Sequence, residues 1–423
     1  ENIVDLHPAD IAEVLDELTT EEGKQLFQQF NEEKAADVLV ELEEDVREKF
    51  LASLSSKEIA EQFIDNLESD DAADVIGELP EELKEEVISH LEDVDQASDI
   101  VDLLNYEEGT AGALMGKEMI AVKENWTIMR CTKEMRKQAE EIDFVYTVYV
   151  VTDKEKLIGT LSLKRMLLTP AKSKITDIYN SEVISIRATA KDEEVAQIMQ
   201  KYDLIALPVI DELGRLIGRI TIDDVVDVIQ EESEKDYQMA SGITEDVESS
   251  DKVWVLTRAR LPWLLIGLLG GVFGAQVISL YETDLGIHPE MAFFIPLIAA
   301  MGGNVGVQSS AIIVQGLANN SLGFAGILTR LYKEFLVGLL NGLICSALIL
   351  MYNMVFCDSM ELSYTVSLAL LAVIIFAALF GTFIPLILDK YKVDPALATG
   401  PFITTMNDIL GLFIYFYIGS FMY

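Results

Sequence analysis

Asp408 is the one formal charge inside an apolar stretch, DPALATGPFITTMNDILGLFIYFYIGSFMY, that runs from Asp394 to Tyr423. At ~1.5 Å per helical residue the stretch can cross a hydrocarbon core of ~30 Å. A carboxylate at that depth costs about 2.5–3.5 kcal/mol on insertion scales, so it normally faces a pore, a partner or an ion. The plainer alternative is a protonated or hydrogen-bonded carboxyl in a helix-packing seam. Two further acid sets have helical spacing. Asp70 and Asp74 lie one turn apart and could share a cation, or could be ordinary helix-start charges. Asp224, Asp227 and Glu231 fall on one face, next to Asp223, Glu232, Glu234 and Asp236, where a divalent cation could screen them or a free helix end could carry them. His7, His90 and His288 form no cluster, and Cys131, Cys345 and Cys357 give neither a zinc spacing nor a disulfide framework.

The 423 residues carry a formal net charge of −40, yet half of them are hydrophobic. Charge and apolarity separate along the chain. Nine acids and four bases lie from Pro262 onward, which leaves 62 acids and 27 bases before it, a surplus of about −35. Such a region repels nucleic acid and favours a cation as partner. The sequence opens on Glu1, which is expected not to be the true N-terminus, and its polar start is unlike a signal peptide.

Residues 1–104 repeat a short amphipathic phrase, HPADIAEVLDEL, NEEKAADVLVEL, SKEIAEQFIDNL and SDDAADVIGEL. Each begins with an N-cap candidate and places apolar residues at three and four spacing. No such helix buries its face alone, so a stacked all-α array is expected. After a linker at 105–116, residues 117–173 and 174–231 form two copies of strand, helix, strand, turn, LIG strand and closing helix. Five extra residues around Ala139 to Thr147 distinguish the first copy. Residues 232–258 are charged and helical in period apart from the turn-like Ser241–Gly242, and join this region to a membrane domain at 259–423.

Five segments there qualify as spans, at about 262–281, 292–318, 331–356, 362–388 and 398–422. Lys and Arg flank the first span at its start and the second and fourth connections, and are missing from Glu282–Glu290 and Cys357–Glu361. The positive-inside rule therefore puts the acidic half in the cytoplasm and the C-terminus outside a plasma or inner membrane. Polar and small residues align within the spans: Asn304, Gln308 and Gln315; Glu334, Gly338, Asn341 and Cys345; Thr404, Asp408, Gly411 and Tyr415. Such stripes suit a water-filled pathway or a tight interhelical seam.

The paired copies resemble a tandem CBS (Bateman) module, most specifically at LIGRITIDD, Leu216–Asp224. In that family Thr and Asp hold a nucleotide ribose, which implies ATP or another adenine nucleotide at Thr221 and Asp224; the first copy has Ser162 but Arg165 in place of the acid. The whole chain resembles an MgtE-type magnesium channel through RLPWL (Arg260–Leu264), GGNVGVQS (Gly302–Ser309), KEFLVGLLNG (Lys333–Gly342) and DPALATGPFITTMNDILG (Asp394–Gly411). The resemblance implies a multidomain membrane protein: a helical N domain, an α/β CBS pair, a connecting plug helix and an all-α pore domain of five helices per subunit. It implies a homodimer through the CBS and transmembrane domains, and no enzymatic chemistry. Magnesium would be both cargo and regulator. The pore site would be Asp408, with Thr404 and Asn304 along the path, and regulatory Mg²⁺ would bind Asp70, Asp74, Asp224, Asp227, Glu231 and Asp394. Gln315 stands where the family pattern has Arg, which weakens any anchoring role at that helix end. Competing readings are a transporter of Mn²⁺ or Co²⁺ on the same plan, a membrane enzyme, for which Asp408 lacks a second acid, and a nucleotide-sensing scaffold, which leaves the polar stripes unexplained.

Overall fold

A computed structural model describes residues 3–16, 18–139, 142, 144–244, 247, 251–318, 326–357, 359–398 and 400–423, in two compact units, Glu1–Glu231 and Glu232–Tyr423. Parts of the insertion at 139–147, of the connecting segment 232–258 and of the connections after the second and third spans lie outside the described residues.

The first unit begins with eight short helices: α1 (Pro8–Asp16), α2 (Thr20–Phe27), α3 (Glu32–Val40), α4 (Glu44–Leu51), α5 (Ser56–Gln62), α6 (Ser69–Gly77), α7 (Glu81–His90) and α8 (Val94–Leu103). The repeated phrases account for α1, α3, α5 and α6, and the segments between and after them are helical as well. Thr19 with Glu22 and Ser55 with Glu58 form capping boxes, and Asn31 and Asp93 cap α3 and α8, so polar residues at the boundaries satisfy the first amides. Helices this short are marginal in isolation, and here they share a core of Ile11, Leu39, Leu51, Ile59, Phe63 and Ile76. Phe27, Phe50 and Phe63 pack ring against ring inside it.

Two copies of one α/β unit follow. The first contains β1 (Ile120–Lys123), α9 (Ile128–Gln138), β2 (Val148–Val151), β3 (Leu157–Leu161) and α10 (Leu163–Leu168). The second contains β4 (Ile186–Arg187), α11 (Asp192–Tyr202), β5 (Ala206–Ile210), β6 (Leu216–Thr221) and α12 (Ile222–Ala240). Each sheet pairs its first two strands in parallel and its last two antiparallel. The LIG glycines have a steric reason. A Cβ at Gly159 would lie 2.2 Å from the carbonyl oxygen of Asn180, and one at Gly218 would lie 2.6 Å from Met115 Sδ, because a chain segment crosses each strand there.

The closing helix of the second copy does not stop at its boundary: α12 runs on to Ala240 and ends at Gly242, φ +83°. Five helices of the second unit are long and apolar enough to span a membrane: α13 (Val253–Leu280), then, after the short α14 (Glu282–Ile287), α15 (Ile295–Ala318) with the turn Pro289–Phe294 before it, α16 (Ile327–Phe356), α17 (Met360–Lys390) and α18 (Pro401–Met422). The first starts at Val253, so Arg258, Arg260 and Pro262 all lie within α13. Helix α17 is the central one and buries Val366, Ala369, Val373, Ile374 and Ala377. Glycine sets the closest crossings. A Cβ at Gly381 of α17 would lie 2.3 Å from the carbonyl oxygen of Gly306 in α15, and one at Gly270 of α13 would lie 1.9 Å from Thr405 Cγ2 in α18.

Candidate functional site

In the first unit, two helix starts bring acids from distant parts of the chain together. Helix α6 opens under the carboxylate of Glu118, which accepts from the Ser69 amide and hydroxyl, both at 2.9 Å. Helix α12 opens on Thr221, whose amide (3.1 Å) and hydroxyl (2.7 Å) both donate to Asp224. Helix N-termini favour nearby carboxylates, and that preference here sets them against one another. Asp70 is only 8 % exposed; its burial, with Asp224, Asp71, Glu118 and Glu68 around it, pushes its pKa well above the ordinary carboxylate range. Burial and Asp224 push Asp71 up to about 7. Burial and Asp224 likewise lift Asp74 to about 6, against the pull of Arg47. Asp224 is raised by burial in spite of its two bonds from Thr221, and Asp227 by burial and then by Asp223. Glu231 adds to the field at Asp74.

One oxygen each from Glu68, Asp70 and Glu118 lies within 4.8 Å of the others, a spacing that oxygen-coordinated cations accept. The guanidinium of Arg219, 5 % exposed, bonds Glu68 at 2.8 Å and also donates to the backbone carbonyl of Glu118. Gly116 is required beside this group, since a Cβ there would lie 2.5 Å from Asp70 Oδ2. Of the residues expected from sequence, the fold thus unites Asp70, Asp74, Asp224 and Glu231 in one charge cluster, with Asp227 near Asp223. Sequence reasoning missed Glu68, Asp71, Glu118 and Arg219. Asp71 stands in the same SDDAAD phrase, but Glu118 and Arg219 become neighbours only through folding.

In the second unit, Asp394 accepts from the Ala396 amide at 2.8 Å and so opens the turn Pro395–Ala398. It stands close enough to Asp236 of α12 to raise that carboxyl, burial being the larger cause. Asp236 belongs to the acidic run but was not among the expected site residues.

In the membrane helices, Asp408 is half-buried on α18 one turn after Thr404, and no Lys or Arg pairs with it among the described residues. Both approach α15 at Gly303, where a Cβ would lie 3.1 Å from Thr404 Cγ2 and 3.5 Å from Asp408 Oδ1. The Thr404 hydroxyl donates to the Gly400 carbonyl at 3.0 Å. Asn304, next to Gly303, is exposed together with Gln308 and Gln315, so this stripe of α15 is open in the single chain. The α16 stripe differs. Glu334 accepts from the Ser309 hydroxyl at 2.6 Å and Gly338 packs against Ala378 of α17, which makes that part a seam, whereas Asn341 is exposed. On α18 the stripe divides: Thr404 and Asp408 are half-open, whereas Gly411 is buried and Tyr415 is buried with its hydroxyl donating to the Met291 carbonyl at 2.9 Å.

Thr221, expected as a nucleotide contact, is 3 % exposed and bonded to Asp224, which in turn faces Asp70. A polar cleft lies in the first copy, between Tyr146, Ser162, Arg165 and Asn180.

Comparison with known proteins agrees with this architecture. The family described as MgtE, divalent cation transporter, matches residues 295–418; the MgtE intracellular N domain matches 6–109, and the CBS domain matches 111–170 and 175–231. The magnesium transporter MgtE of Bacillus subtilis is 34 % identical over 75 % of this chain and 70 % of its own. That of Enterococcus faecalis is 36 % identical over 75 % and 70 %. A solved cytosolic domain of the Mg²⁺ channel MgtE in complex with ATP is 33 % identical, covers 53 % of this chain and 92 % of its own, and superposes with a TM-score of 0.50. With five apolar helices behind a helical N domain and a CBS pair, the chain is a multi-pass membrane protein and belongs to the MgtE family of divalent cation transporters.

Proposed function

We propose that the protein is a magnesium-selective channel that admits Mg²⁺ down its electrochemical gradient and closes when Mg²⁺ binds its acidic domains. The observation that carries this reading is Asp408: a carboxylate in an apolar helix, beside Thr404 and glycine backbone, with no basic partner among the described residues. Mg²⁺ dehydrates reluctantly and prefers octahedral oxygen at ~2.0–2.1 Å. Asp408 from each of two subunits, facing across a shared axis, would hold such an ion through its water shell. The open polar stripe of Asn304 and Gln308 supports a dimer axis or aqueous path along α15, because polar side chains turned to lipid are costly. Homologues named magnesium transporters support the choice of cargo. No catalytic group is needed, since a membrane potential negative inside supplies ~2.3 kcal/mol per charge per 100 mV.

The regulatory half of the proposal rests on repulsion. Asp70, Asp74, Asp224, Asp227 and Glu231 in one unit, and Asp394 beside Asp236 in the other, are acids whose close approach is unfavourable without a cation. Cytoplasmic Mg²⁺ would bridge them and hold the gate shut; at low Mg²⁺ the acids would separate and release it. This assignment places the N-terminal domains in the cytoplasm and the C-terminus outside, in line with the Lys and Arg bias of the connections.

Flux into proteoliposomes tests both halves. Mg²⁺ uptake by the parent and its loss in Asp408→Ala are expected, and unchanged uptake and selectivity in the variant would sink the pore assignment. Mn²⁺ and Co²⁺ belong in the same assay, because an all-oxygen site accepts them too. Uptake that still falls as internal Mg²⁺ rises, after removal of residues 1–231, would place the sensor in the membrane domain.

A further inference from the structure

Four buried polar atoms at one crossing of the membrane helices have no hydrogen-bond partner among the described residues: Ser310 Oγ on α15, Thr382 Oγ1 on α17, and both Nδ2 and Oδ1 of Asn407 on α18. The three side chains are 0 %, 0 % and 1 % exposed. They come from three helices, yet each stands within about a turn of the same contact. Asn407 Nδ2 fills the place of a Cβ at Gly306, and the Gly306 carbonyl oxygen meets Gly381 of α17. Thr382 follows Gly381 directly, and Ser310 stands one turn after Gly306 on the same face of α15.

Hydroxyls buried in a helix commonly donate to the carbonyl one turn back, and α17 itself does so three times. Ser363, Thr365 and Ser367 donate to the carbonyls of Ser359, Glu361 and Ser363 at 2.9, 2.8 and 2.7 Å. On α15 the Ser309 hydroxyl donates to Glu334 at 2.6 Å. Ser310 and Thr382 do neither. Groups left unpaired in this way are costly, most of all among apolar helices that bulk water does not reach. The mixture of donors and acceptors also selects what could satisfy them. A cation would serve the hydroxyl oxygens and Asn407 Oδ1 but leave the Nδ2 donors facing a charge of their own sign. An anion would serve the donors and strand Oδ1. Water both donates and accepts.

We infer that this crossing binds ordered water, which bridges the Asn407 amide to the hydroxyls of Ser310 and Thr382. Buried waters take about three hydrogen bonds from polar groups otherwise unsatisfied, and these three side chains supply them. A water bridge can change partners as helices shift, where the contact of Gly381 with the Gly306 backbone cannot. Because Asn407 immediately precedes Asp408, the crossing is then a hydrated joint next to the ion site; that meaning rests on the pore reading, whereas the hydration does not.

Removing the polar groups at nearly constant shape tests the hydration by its sign, in melts of the full chain in detergent. With water bound, Thr382→Val and Ser310→Ala each strip a bridge and should lower the melting temperature by about 2–4 °C, and the double variant should fall by less than the sum, because both losses draw on the same water. Dry unpaired groups give the reverse, since their removal is neutral or stabilising, so unchanged or raised melting temperatures would overturn the inference. Hydroxyl-radical labelling by X-ray radiolysis gives a readout that does not depend on folding energy, because a buried side chain is oxidised where bound water is the local source of radicals. Ile403, whose Cγ2 lies 2.8 Å from the Cβ position of Gly306, and Ile374, beside Gly342 in the α16–α17 seam, are both 0 % exposed. Ile403 should oxidise several-fold faster than Ile374 in the parent and no faster in the double variant; equal rates in the parent would mean a dry crossing. Neither measurement uses ion flux, so a failure of the pore reading leaves both results standing.

Discussion

Asn407 occupies the space that a side chain at Gly306 would need: a Cβ there would lie 1.9 Å from Asn407 Nδ2. Asn407 is 1 % exposed and immediately precedes Asp408 in the chain. The buried amide sets the rotation of α18 against α15, and that rotation leaves Asp408 on the half-open side. Gly306 also meets Gly381 of α17, so one crossing orients three helices.

Gly381→Ala should be severely damaging, because its new methyl would meet the backbone oxygen of Gly306, which cannot rotate away. Overpacking of this kind costs about 1–3 kcal/mol and here would also separate α15 from α17. Gly267→Ala and Gly271→Ala, with nothing within 4 Å of the added carbon, should behave like the parent. Detergent melting curves and Mg²⁺ uptake of the three variants check this; a wild-type melt for Gly381→Ala would refute the crossing.

Two membrane carboxyls should respond oppositely to neutralisation. Asp408→Asn keeps the size and removes the charge, and uptake should fall on the order of tenfold or more. Glu334→Gln keeps an acceptor for the Ser309 hydroxyl, which lies 2.6 Å from Glu334, so uptake and stability should change little. Loss of flux in the Gln variant would mean that Glu334 works in the path and not in the seam.

The acid cluster predicts a particular pH dependence. Asp70 and Asp71 titrate above the ordinary Asp value of about 3.9, Asp71 at about 7, so the folded state binds protons more tightly than the unfolded. The stabilisation these two groups supply without metal should therefore be full below about pH 4 and be lost as pH rises through about 7 for Asp71 and through the raised value of Asp70. Mg²⁺ should offset that loss, with a larger gain in melting temperature at pH 7.5 than at pH 5. Melts of the full chain with and without Mg²⁺ at both pH values test the sign; an equal gain at both would argue against ion binding at these acids. Asp70→Asn should raise the metal-free melting temperature at pH 7.5 and reduce the Mg²⁺ gain.

Arg219→Ala should destabilise the first unit by about 3–5 kcal/mol, since it strips Glu68 of its buried partner. Adding Glu68→Gln should recover part of the loss. Denaturant titration of the single and double variants reads the coupling directly, and additive effects would deny it.

The positions of α1, α3, α5 and α6, the paired α/β copies, the five spans and Asp408 were legible in the sequence, because each rests on local periodicity or on the price of one charge in an apolar run. The motifs around Gly302–Ser309 and Asp394–Gly411 identified the family for the same reason: they are contiguous. Only the tertiary structure set Glu118 over the first turn of α6, Asp70 against Asp224 and Asp236 beside Asp394, since those approaches join segments whose separation carries no periodic signal. It also divided the polar stripes, leaving Asn304 open while Glu334 closed onto Ser309. Which face of a helix a polar residue occupies follows from spacing. What lies opposite that face depends on how the helices cross, and glycines that read locally as mere flexibility decide it through the backbone approach they permit.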